Sequence, residues 1–127
     1  MTRTLRVTPP HADGAAAHIV VVGGGASGVL MATHLLTHPG RFRVTIVEGR
    51  NMLGCGIAYS TEDPQHLLNT RVQNMSAFPD DPDHFRRWLR TRAGHGDAPA
   101  AFVSRPTYGA YLADLLSPWQ ADSSRLA

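Results

Sequence analysis

The segment His18–Gly28, HIVVVGGGASG, runs from a β-branched apolar stretch straight into three glycines, with a fourth three residues later. Glycine loses more conformational freedom on folding than any other residue, so a backbone this bare implies a tight turn or a close approach. Ile19–Val22 reads as a strand. Ala26–Thr37 reads as a helix, because Val29, Leu30, Thr33 and Leu36 recur near the 3.6-residue period and Pro39-Gly40 stops it. RFRVTIVEG then supplies a second strand, Val44–Glu48. Strand, turn, helix, strand is a βαβ unit with parallel strands. The predicted fold class is α/β with a Rossmann-like core.

Gly23-Gly24-Gly25-Ala26-Ser27-Gly28 fits the spacing G-x-G-x-x-G. Gly23 allows the turn out of the strand, Gly25 leaves the backbone open to a pyrophosphate, and Gly28 lets the helix lie close to the strand. The helix N-terminus adds unpaired N–H groups and a partial positive charge. Glu48 follows Gly28 by 20 positions and closes the second strand, where a carboxylate can accept from both hydroxyls of an adenosine ribose. That charge repels the 2′-phosphate of NADP. Arg50, two residues on, offers a phosphate partner or an adenine stack.

Competing chemistries fail on spacing. Ser27 is not a nucleophile elbow, because Val29 stands where G-x-S-x-G requires glycine. His34 and His38 are spaced i, i+4, but no Glu follows the first and Pro39 ends the helix at once, so no metal site is expected. Cys55 is the one cysteine and reads as a small packed thiol. All twelve basic residues are arginine, which removes the Walker A lysine and Schiff-base chemistry. The arginines are scattered without interleaved aromatics, so nucleic acid is not an expected partner. No apolar run approaches the roughly 20 residues that span a bilayer. With no signal-like h-region and no second cysteine, a cytoplasmic protein is the expectation.

The chain of 127 residues has room for one domain. Residues 1–17 read as a disordered leader, 18–116 as the dinucleotide-binding domain, and 117–127 as a polar tail that frays. Between Gly49 and Asp80 the sequence is irregular and too long for an idle connection. Asp81-Pro82-Asp83 carries helix-start signals, with Asp81 as N-cap, and Phe85, Trp88 and Leu89 form the apolar side. Arg86, Arg87 and Arg90 fall on the solvent side. AGHGDAPA is a loop, and Ser104 caps a further helix bearing Tyr108, Tyr111, Leu112 and Leu115. No residue stands out as catalytic; His66, His84 and Tyr59 qualify by chemistry alone.

Glu48 followed by Gly54 and Gly56 resembles the flavoprotein pattern of an acid and then a glycine pair. With GIAYST, HLLN, NMSAFPDDPDHFRRWL and FVSRPTYGAYL, the chain from His18 to Leu116 resembles the N-terminal part of bacterial FAD/NAD(P)-binding proteins. That group is similar to flavin-dependent N-hydroxylating monooxygenases and to glutathione-reductase-like flavoproteins. The resemblance implies FAD as cofactor and NAD(P)H as a second one in a full-length protein. It matches Gly23, Gly25 and Gly28 to the pyrophosphate loop, Glu48 to the ribose acid, and Arg50 to a basic residue beyond it. Proteins of the group are several times longer, which implies an incomplete domain, inactive alone, of a flavin-dependent oxidoreductase. A truncated inactive fragment or a non-enzymatic nucleotide-binding module is the alternative.

Overall fold

The computed structural model describes residues 17–40, 42–92 and 102–127. Strand β1 spans His18–Val22 and strand β2 spans Arg43–Val47, paired in parallel with His18 opposite Arg43 and Val22 opposite Val47. Helix α1, Ala26–Thr37, connects them, as the sequence predicts. β1 starts one residue earlier than expected, because His18 pairs with Arg43 in the ladder and Arg43 N–H donates to Ala17 O at 3.0 Å. β2 stops at Val47, which leaves Glu48 as the first residue beyond the strand.

Side chains alternate across the sheet. Val21, Val44 and Ile46 join the core, and α1 buries Val29, Ala32, Thr33 and Leu36. Val20, Val22 and Val47 on the other strand positions are exposed.

After β2 the chain runs without a regular element to the 3-10 turn Val72–Asn74, in line with the irregular reading. Helix α2, His84–Arg90, and helix α3, Arg105–Asp114, complete the core. Residues 66–68 pair with the start of α3: Leu68 N–H donates to Val103 O and Arg105 N–H to His66 O. Phe85 and Tyr111 are fully buried, with ring centroids 4.6 Å apart, and Tyr108 packs edge-on to Phe85 at 5.2 Å. Ser104 caps α3 as expected, its Oγ accepting from Thr107 N–H at 3.3 Å.

Two expectations are corrected. Helix α2 begins at His84, not at Asp81-Pro82. The Asp81 carboxylate is held by the guanidinium fork of Arg87 at 2.8 and 2.5 Å, and the residue before the helix is Asp83, whose side chain makes no capping bond. The tail does not fray. After a second 3-10 turn, Ser117–Trp119, Leu126 lies in parallel register beside Val44. Val44 N–H donates to Arg125 O at 2.7 Å, and Ile46 N–H to Ala127 O at 2.8 Å. The Arg125 guanidinium donates to Leu36 O, at the end of α1 where carbonyls lack helical partners, and to Phe42 O, just before β2. The expected leader, apart from Ala17, and the AGHGDAPA loop lie outside the described residues.

Candidate functional site

The β1–α1 turn is built from backbone. Gly23 has φ +100°, a conformation that side-chain-bearing residues rarely adopt, and its N–H donates to Val47 O at 2.8 Å. A Cβ on Gly28 would stand 1.9 Å from Gly23 O, so glycine alone lets the helix start so close to the strand end. Gly25 is the N-cap of α1 and no side chain caps it. The first-turn amides therefore have no partner within the helix.

These residues face an open cleft of about 300 Å³. Gly23, Gly25, Ala26, Ser27 and Gly28 form one wall, and Gly56–Tyr59 forms the other. The irregular segment is tied back to the loop by Gly54 N–H donating to Gly24 O at 2.7 Å. A Cβ on Gly25 would lie 3.3 Å from Gly56 Cα, so any side chain there would press on the opposite wall. Gly25 and Gly56 thus approach each other as bare backbone at one side of the cleft.

Glu48 stands behind the turn. Its Oε2 accepts from Gly24 N–H at 2.7 Å and its Oε1 from Arg50 N–H at 3.0 Å. The Gly24 amide, then the Arg50 amide, hold this carboxyl below its ordinary range and keep it ionised. Each oxygen retains further acceptor capacity, since a carboxylate offers about four lone-pair sites. Gly24 and Arg50 do not line the cleft: the Gly24 amide turns to Glu48, and Arg50 is an exposed residue past the strand.

Tyr59 lines the cleft and packs edge-on to Tyr108 at 5.1 Å. The other chemical candidates lie elsewhere. His66 meets Thr61 Oγ1 at 2.7 Å on the surface, and His84 Nδ1 meets Tyr111 Oη at 2.8 Å. His34 Nε2 contacts Ala77 O at 2.9 Å, whereas His38 Nδ1 accepts from Gly40 N–H. Burial pushes the Cys55 thiol up, which keeps it protonated. No group of three or more metal-ligating side chains occurs among the described residues. No described helix is long and apolar enough to cross a membrane.

Parallel strands joined by a helix, with a glycine turn at its start, are the architecture of an α/β nucleotide-binding domain. Residues 20–126 match the FAD-NAD(P)-binding family, and the chain belongs to it. No curated protein and no solved structure gives a match. A dinucleotide is accordingly the cofactor class. The second wall, Gly56–Tyr59, was not assigned from the sequence. Its signal was the Gly54/Gly56 pair, but nothing local says that this pair returns to face Gly25.

Proposed function

We propose that the chain binds FAD as the dinucleotide-binding portion of a flavin-dependent oxidoreductase. Gly23, Gly25 and the first-turn amides of α1 at Ala26, Ser27 and Gly28 would hold the pyrophosphate. Glu48 would accept from the ribose hydroxyls, and Gly24 would anchor the acid. Arg50, just past the acid, would meet a phosphate or the adenine. The observation that carries the reading is the ionised Glu48 carboxylate bonded to the amide of the glycine turn itself. That contact would set a ribose acceptor directly behind the phosphate-binding turn. A fixed negative charge there opposes a 2′-phosphate and favours FAD over NADP. When bound, the flavin supplies the electron transfer, and the protein supplies binding and orientation.

The test is equilibrium titration of the purified protein with FAD and with NADP, followed by calorimetry. Gly25→Val should abolish FAD binding while leaving the far-ultraviolet circular dichroism in place. Glu48→Ala should weaken binding by about 1.5–3 kcal/mol, the cost of a hydrogen bond to a charged group. Equal FAD curves for wild type and Gly25→Val, or tighter binding of NADP than of FAD, would overturn the assignment.

A further inference from the structure

Among the described residues, Val22 and Ile57 are the most exposed large apolar side chains, at 73% and 86%. Both line the glycine cleft, and neither packs against the core. Val22 ends β1, immediately before the glycine turn. Ile57 stands on the opposite wall, in a tight turn that Tyr59 N–H closes by donating to Gly56 O at 2.9 Å. That wall is fixed from behind by the Tyr59 ring against Tyr108, 5.1 Å between centroids, and by Gly54 N–H on Gly24 O. Turn corners favour Gly, Pro, Asn, Asp and Ser, each for a backbone reason. A β-branched apolar residue at this corner serves no such purpose and adds almost nothing to the core.

No residue lining the cleft carries a charge. Glu48 is not among them: it stands behind the turn, bonded to the Gly24 amide. A dinucleotide with its adenosine ribose at Glu48 and its pyrophosphate on the α1 amides leaves its second half to the cleft. Apolar surface gathered at a groove marks a place where a ligand displaces water. We propose that Ile57 and Val22 are specificity-determining residues that pack against the uncharged ribityl–flavin half of FAD and disfavour the cationic nicotinamide half of oxidised NAD. A cation entering here loses water and meets no opposite charge. The inference rests on the dinucleotide reading and extends it to the half of the ligand that Glu48 does not touch.

The experiment compares ADP, FAD and oxidised NAD on the purified protein by calorimetry, with flavin emission as a second readout for FAD. ADP carries the half that all three ligands share. FAD should bind at least tenfold more tightly than ADP, and NAD should gain nothing over ADP. Ile57→Ser should weaken FAD roughly tenfold, the effect of uncovering part of an isoleucine side chain, and leave ADP unchanged. Val22→Thr, which keeps the β-branched shape, should act in the same direction. Ile57 is so exposed that its replacement should not move the thermal unfolding midpoint. FAD binding no tighter than ADP, or Ile57→Ser that spares FAD or weakens ADP equally, would overturn this assignment and leave the dinucleotide reading standing. Failure of both ADP and FAD to bind would instead overturn the dinucleotide reading, and this one with it.

Discussion

Glu48 is bonded to two backbone amides and projects no new charge into the core, so its role turns on ionisation. The Gly24 amide is the largest of the effects that lower its pKa, and the folded state therefore favours the carboxylate. The sign follows from linkage: the contact is in place above the ordinary value of 4.5 and is lost as pH falls through the lower folded value. The Gly24 amide proton shift should titrate with a midpoint below 4.5, and Glu48→Gln should remove that titration. His84 behaves in the same direction for a different reason. Burial, with Arg87 adding to it and Asp81 opposing, lowers its pKa from 6.5. The Tyr111 hydroxyl accepts from Ala77 N–H at 3.0 Å, which leaves its own proton for His84 Nδ1. Protonated His84 could not accept that bond. Stability should be full above pH 6.5 and fall as pH drops towards the lower folded value. Urea unfolding at pH 7.5 and 5.5 should show a loss that His84→Gln reduces. The acid at position 48 was legible because its spacing from the glycines is a local count. The His84–Tyr111 contact was not, because it joins residues 27 apart on two helices whose docking no periodicity reveals.

At the scale of elements, β1, the turn and α1 behave as one piece. The approach of Gly28 to Gly23 O leaves no room for a methyl group. Gly28→Ala should cost about 1–3 kcal/mol by overpacking and should loosen the turn. Thermal unfolding checks the first effect and amide exchange at Gly23 and Gly24 the second. This unit was readable in advance because each part is specified within a few residues: β-branched run, glycines, apolar helix period, Pro39-Gly40. α2 shows the limit of such reading. Asp81-Pro82-Asp83 carries every local mark of a helix start, yet Arg87 takes the Asp81 carboxylate and the helix opens at His84. The partner of Asp81 lies six residues downstream, which a three-residue helix-start pattern does not reveal.

Across the whole molecule, the outer edge of β2 is closed by residues 125–127. Edge strands present unpaired N–H and C=O groups, and this pairing covers them on one side of the sheet. Leu126 is 9% exposed, and Leu126→Ala should destabilise the fold by about 2 kcal/mol. Hydrogen exchange at Val44 and Ile46, whose amides donate to Arg125 and Ala127, should accelerate in that variant. Unchanged exchange at both amides would contradict the pairing. ADSSRLA gave no warning of this contact, because three paired residues are too few for an alternating pattern and only Leu126 and Ala127 in the paired segment are apolar.

The tether between Glu48 and the Gly24 amide also has a consequence in time. A glycine turn left loose would need to organise before or after each encounter with a dinucleotide, and binding would then show a slow, saturating phase. Here the turn is fastened from one side by the acid and from the other by the Gly54 amide on Gly24 O. Association should therefore be a single step whose observed rate rises linearly with ligand concentration in stopped-flow. In Glu48→Ala that line should bend over, as the turn's own motion begins to set the pace.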